Sequence, residues 1–355
     1  MIFKYIIKRI LISLILLLGV SIIMYLFIRM MPTDFIDVMM APRIAGGTVT
    51  QGQIDAMRRF YGLNVEHPMD RAYNSFYPYA IGGWERFFSS MRSFINGYWS
   101  WLFAVLGGDL GMSFMWQMPV SAVIGEAMWI SFSLAIVAMV LQFAIAIPAG
   151  IYVSTRQYSA VDNTTTVIIL TLMSLPSFFF GNLLIMFFSH RLGWFPMGGT
   201  MSGHIQFRNW FHQFGNQLWH LVLPIFTVTL LGVGGTMRFT RITMLEVLSA
   251  DYIRTARAKG CSEKTAIYKH AFRNTLIPIV TSIAGILPGL FGGMIILEEI
   301  FNIPGIGQRA LVSLRSGDVP FIMGFNMFLA ILSVLGTLLS DLAYVLVDPR
   351  IKLDR

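Results

Sequence analysis

The sequence predicts an all-α integral membrane protein with six transmembrane helices and with both termini on the cytoplasmic side. Three observations carry that prediction. Apolar residues make up 55% of the 355-residue chain and charged residues only 12%, whereas an ordinary soluble domain carries about 25% charge. Six runs are apolar over lengths that cross a bilayer, and mean hydropathy is +0.67. The basic residues gather in short segments at the ends of those runs, the pattern that membrane topology imposes.

The runs, in order, are Ile10 to Phe27, Met128 to Val153, Thr164 to Ser189, Trp219 to Met237, Leu276 to Leu297 and Phe321 to Val347. The first follows Lys4, Lys8 and Arg9 and so resembles a secretory signal. Its run of 18 residues exceeds the about 7–15 of a signal core, and no small-residue cleavage site follows, so it is kept as a membrane helix. Inside the six runs the only formal charge is Asp341. The stretch Arg29 to Ala127 contains one tempting apolar piece, Trp99 to Leu106, which is too short to cross.

All six lysines, Lys4, Lys8, Lys259, Lys264, Lys269 and Lys352, fall on one side once these spans are drawn, and the positive-inside rule makes that side cytoplasmic. Three parts follow: residues 1–28 with the first helix, an extracytoplasmic segment 29–127, and a five-helix core 128–355 that contains a basic cytoplasmic loop at 238–275.

The net charge of +8 is explained by this distribution, so membrane lipid is the expected electrostatic partner and nucleic acid is not. Cys261 is the single cysteine, which excludes an intrachain disulfide and a cysteine-based metal site. The six histidines show no ligand spacing. There is no phosphate-binding loop, no H-E-x-x-H and no G-x-S-x-G. The chain is therefore read as neither an enzyme nor a cofactor carrier, and any ATP chemistry must belong to another subunit.

The informative segment lies between the fourth and fifth runs: Asp251-Tyr252-Ile253-Arg254-Thr255-Ala256-Arg257-Ala258-Lys259-Gly260, then Ser262-Glu263-Lys264 and a helical stretch to Asn274. Gly260 ends one short helix and Ser262 caps the next. Small residues at Thr255, Ala256, Ala258 and Gly260 would let another surface approach closely. A bland alternative stands beside this one, a basic loop that only sets topology and meets anionic headgroups.

The stretch Asp251 to Pro278 resembles the cytoplasmic coupling loop of bacterial binding-protein-dependent ABC importers, in their dipeptide and oligopeptide permease form. Other islands match the same subfamily in the same order: Tyr61-Gly62-Leu63-Asn64, Gly108-Asp109-Leu110-Gly111-Met112-Ser113, Pro119-Val120, Leu192 to Pro196, Glu299 to Gly307 and Asp348-Pro349-Arg350. Two departures are visible: the outer segment between Asp70 and Trp99 is longer than in the family's shorter members, and the coupling motif differs at its start. The general importer motif begins with an acidic residue and two alanines, where this chain has Arg254 and Thr255.

The resemblance implies a type I, MetI-like permease that imports di- or oligopeptides across the bacterial cytoplasmic membrane by alternating access. It implies a second homologous permease, two cytoplasmic ATPase subunits holding ATP and Mg, and an extracytoplasmic solute-binding protein. It also implies that Ala256 and Gly260 make the close contact with an ATPase groove, and that Arg257, Lys259 and Glu263 add charged contacts. Members of the subfamily that carry nickel chelates, glutathione or oligosaccharides are not separated by these motifs. An ion-driven secondary transporter would call for paired acidic groups or inverted repeats at the midplane, and neither is seen; a non-transport scaffold is the remaining rival.

For the translocation path, the residues that free backbone groups or thin the helix wall are Pro176 in the third run and Gly285, Pro288, Gly289 and Gly292 in the fifth. Asn182 and Gln142 are polar groups within runs. Glu298 and Glu299 stand at the outer end of the fifth run, where they either guide a substrate ammonium or anchor the helix at the interface.

Overall fold

The computed structural model describes residues 2–29, 35–60, 84–202, 209–285, 289–290 and 294–347. The described residues are helical apart from turns and one isolated antiparallel bridge, Met112 to Pro119. The helices are α1 Ile2–Arg29, α2 Phe35–Ala45, α3 Gln51–Phe60, α4 Trp84–Leu106, α5 Val120–Ser154, α6 Ala160–Ser174 and α7 Ser177–Leu184, then α8 Trp210–Leu248, α9 Asp251–Ala258, α10 Phe272–Gly285, α11 Ile295–Ile300, α12 Ile306–Ser316 and α13 Val319–Val347. π-Helical turns at Ile185–Arg191 and Thr265–Ala271 extend α7 and lead into α10.

Among the described residues four helices are long and apolar enough to cross a membrane: Ile7–Phe27, Val120–Ser154, Trp210–Leu248 and Val319–Leu339. A fifth span is present if α6 and the helix Ser177–Arg191 count as one, but they meet at a bend of 100°. The third run is therefore not the single straight helix expected. Pro176 explains the break: it has no N–H to give to the preceding turn, and it drives the residue before it out of the helical region. Leu175 accordingly sits at φ −79°, ψ 128°.

The fifth expected run, Leu276 to Leu297, is described only in pieces. Pro288 and Gly292 of the proposed pore wall lie outside the described residues, as do the islands Tyr61 to Asn64 and Asp348 to Arg350. α5, with 35 residues, and α8 outrun their apolar cores. α8 has 39 residues, about 58 Å at 1.5 Å per residue, far more than the about 30 Å of hydrocarbon. The basic segment after Met237 thus begins as a continuation of a membrane helix.

The chain divides into two compact units, Met1–Ala127 with Arg309–Val334, and Met128–Gln308 with Leu335–Arg355. In the first, Tyr25 of α1 packs among Tyr98, Trp101 and Leu102 of α4 and Met323 of α13, and Ser21 Oγ meets Tyr98 OH at 2.8 Å. The island Gly108 to Ser113 is a tight turn here. Gly108 and Gly111 take φ of +84° and +86°, where glycine is free of Cβ strain, and Asp109 Oδ1 accepts from Gly111 N at 2.8 Å. Buried Asp318 then clamps the turn by accepting from Ser113 Oγ at 2.5 Å, Phe114 N at 3.1 Å and Met115 N at 3.2 Å.

In the second unit Leu134, Phe180, Leu184, Leu223, Leu297, Phe301 and Ile303 form the main core. Small residues bring the helices close, as in other membrane bundles: a Cβ on Gly150 of α5 would stand 2.8 Å from Thr240 Cβ of α8. By contrast, α1 leaves Leu11, Leu14, Ile15 and Leu16 more than half exposed, the surface that lipid covers in a membrane protein.

Candidate functional site

The exposed knob between α8 and α10 is built from α9, a turn and the helical stretch Glu263–Ala271. α9 is amphipathic, and its single buried residue, Ile253, packs with Ile151, Met244 and Ala271. That contact fixes the knob to α5 and α8. Gly260 ends the helix at φ +84°, a conformation that glycine adopts at no steric cost, and Lys259 N and Gly260 N close the last turn on Thr255 O and Arg257 O. Ser262 then starts the next helix: its Oγ accepts from Thr265 N at 3.3 Å and meets Thr265 Oγ1 at 2.9 Å.

Arg257 crosses the turn to Glu263 through two bonds, Nε to Oε2 at 3.1 Å and Nη2 to Oε1 at 2.7 Å. Both side chains are well exposed, at 41% and 62%, so the pair bridges the two arms but adds little stability by itself. Arg254, Thr255, Ala258, Lys259, Gly260, Ser262 and Glu263 are exposed, and Ala256 is half-buried. A Cβ on Gly260 would meet nothing within 4 Å, which leaves the tip open to an approaching surface.

A second contact, which the sequence did not reveal, ties α6 to α8. Arg241 donates to Asp162 from Nε at 2.7 Å and from Nη2 at 2.8 Å, and Tyr158 N gives a further bond to Asp162 Oδ2 at 3.0 Å. The Asp162 side chain is 3% exposed. A fork-to-fork pair of this kind holds orientation as well as charge, and it stands on the same helix, α8, that leads into the knob.

Of the path candidates, Pro176 marks the bend, and Asn182 turns back on its own helix, donating to Phe178 O at 2.9 Å. Gly285 is the last described residue of α10, and Gly289 has no atom within 4 Å of a would-be Cβ. Glu298 is 1% exposed and forms a hub rather than an open guide for a cation. Its Oε1 accepts from Ser131 Oγ at 2.6 Å and Met294 N at 3.1 Å, and its Oε2 accepts from Gln308 N at 2.9 Å. Ser131 Oγ accepts in turn from Ile306 N at 2.9 Å. Glu299 follows it in the chain and is half-buried.

The hub explains the Glu299 to Gly307 island. A Cβ on Gly305 would lie 2.5 Å from both Glu298 Oε2 and Ser131 Oγ, and one on Gly307 would lie 2.9 Å from Glu298 Oε2. The loop beyond reaches across to the segment after the third run, where Gly199 N donates to Phe301 O at 2.7 Å. Among the described residues no group of three or more His, Cys, Asp or Glu side chains could hold a metal ion.

The model of a family described as "Binding-protein-dependent transport system inner membrane component" matches residues 146–353. The "Oligopeptide transport system permease protein AppB" of Bacillus subtilis (strain 168) is 35% identical over 349 residues, covering 98% of this chain and 99% of that protein. The "Probable peptide ABC transporter permease protein y4tP" of Sinorhizobium fredii is 31% identical over 348 residues, with 98% and 99% covered.

Proposed function

The chain belongs to the family of binding-protein-dependent transport system inner membrane components, and from that premise we propose that it imports di- and oligopeptides across the bacterial cytoplasmic membrane as one permease of an ATP-driven complex. It works with a second homologous permease, two ATPase subunits that bind ATP and Mg, and an extracytoplasmic binding protein. It crosses the membrane six times, with both termini inside, and hydrolyses nothing itself.

The observation that carries this reading is the exposed helix, turn and helix at Asp251–Ala271, anchored by Ile253 on helices that run into the membrane. Closure of the two ATPases on nucleotide would pull on this knob. Because α8 runs from Trp210 to Leu248 and its Met244 packs against Ile253 of the knob, a displacement of the knob would be passed along α8 toward its membrane part. The Asp162–Arg241 pair would carry α6 with it. Alternating access follows when two such permeases rock against each other.

The decisive measurement is uptake of a labelled tripeptide into proteoliposomes that hold the purified complex, with loaded binding protein outside and ATP inside. Uptake that needs both is the expected result; uptake driven by an ion gradient without ATP would overturn the reading. Orientation is tested by thiol labelling in a Cys261→Ser background. Met197→Cys is expected to react with an impermeant reagent from outside, and Lys264→Cys only after the membrane is opened. Labelling of Lys264→Cys from outside would reverse the topology.

A further inference from the structure

Gln142 lies near the middle of the apolar run Met128 to Val153 and is half-buried. Its Nε2 donates to Thr236 Oγ1 of α8 at 2.5 Å. A carboxamide offers two donors and two acceptor sites, so the bond to Thr236 leaves most of its capacity unused. The group lies flat on bare backbone: a Cβ on Gly232 would run into the Gln142 carboxamide. Beside it an open cleft of about 460 Å³ is walled by Leu172, Leu175 and Leu231 on its apolar side and by Gln142, Ser177 and Thr236 on its polar side.

The same cleft receives the broken end of α6. A helix's last four carbonyls have no donor within the helix, and Leu172 and Met173 of that last turn line the cleft. Irregular backbone at membrane depth is tolerated only where it is buried in protein or lines a watered cavity. The end of a broken helix and an amide with spare capacity therefore adjoin one groove whose lining carries no formal charge.

We infer that this cleft is a station on the translocation path that holds the main chain of an extended peptide. The inference rests on the peptide-import reading above. An amide that both donates and accepts is the complement of a peptide unit. The cleft lining carries no formal charge, so it reads neither terminus nor charged side chain. That suits a carrier of peptides with varied side chains.

The test uses the complete complex in proteoliposomes, with the binding protein saturated either by trialanine or by trialanine N-methylated at its central nitrogen. The wild type is expected to take up trialanine about tenfold faster, the worth of about one hydrogen bond. Gln142→Leu is expected to slow trialanine to the rate of the analogue, while ATP hydrolysis stimulated by the loaded binding protein persists. Gly235→Leu, which fills the cleft from a position where a Cβ meets only open space, is expected to slow both peptides. Wild-type preference retained by Gln142→Leu would overturn the station. So would loss of the second permease from the Gln142→Leu complex, which would make the amide a contact between subunits. If the wild type imports another solute but no peptide, the import reading itself fails, a result visible before any variant is compared.

Discussion

Replacing Gly260 with tryptophan is expected to abolish ATP-driven uptake while leaving the assembled membrane complex intact. The knob tip is open, with no atom within 4 Å of a Cβ at Gly260, so the free subunit has room for the new ring. A docked ATPase does not have that room if it packs closely against the small-residue face. Overpacking a close contact costs about 1–3 kcal/mol, and repulsion from a misplaced charge, as in Ala256→Glu, adds to it. A fall in uptake of tenfold or more is the expected scale, since about 1.4 kcal/mol corresponds to a factor of ten.

Gly260 also holds φ +84°, so any side chain there strains the turn, and that effect has to be separated from docking. Gly260→Asn serves for this, because asparagine tolerates the left-handed region and adds little bulk; it is expected to keep most activity. Should Gly260→Trp transport normally within an intact complex, the knob would be only a basic loop. In that case neutralising Lys259, Lys264 and Lys269 would disturb membrane insertion instead.

Much of this architecture is legible in one dimension because membrane helices are written locally. Long apolar runs identify α1, α5, α8 and α13, and the knob is readable because its helix stop at Gly260 and its cap at Ser262 are signals within three residues of each other. What could not be read depends on partners far apart in sequence. Glu298 looks interfacial beside Glu299, yet Ser131, which buries it, is 167 residues away. Asp318 closes the Gly108 to Ser113 turn across 205 residues, and Asp162 finds Arg241 across 79. Pro176 was visible, but a proline in a membrane run can kink or break it, and the 100° bend is a choice made by packing.

Glu298→Ala is expected to cost the complex most of its stability, because it strips one acceptor group from three donors at once. Ser131 Oγ, Met294 N and Gln308 N would be left facing a cavity, and each buried donor without a partner costs about 1–3 kcal/mol. The loss should appear as a fall of several degrees in the unfolding temperature of the detergent-purified complex and as a lower yield. Glu298→Gln keeps an acceptor at the Oε1 position but sets an NH2 group against Gln308 N, so it should fall between wild type and alanine. Gly305→Ala attacks the same hub from outside, since its Cβ would lie 2.5 Å from Glu298 Oε2, and it should approach the alanine variant in severity. Groups that share one network do not add. The double variant Glu298→Ala with Gly305→Ala is therefore expected to lose less than the sum of the two single losses, because the methyl group takes space that the carboxylate has vacated and only its close approach to Ser131 Oγ remains. Fully additive losses would mean that the two residues act apart, and a Glu298→Ala complex as stable as wild type would remove the hub from any account of how this loop is held.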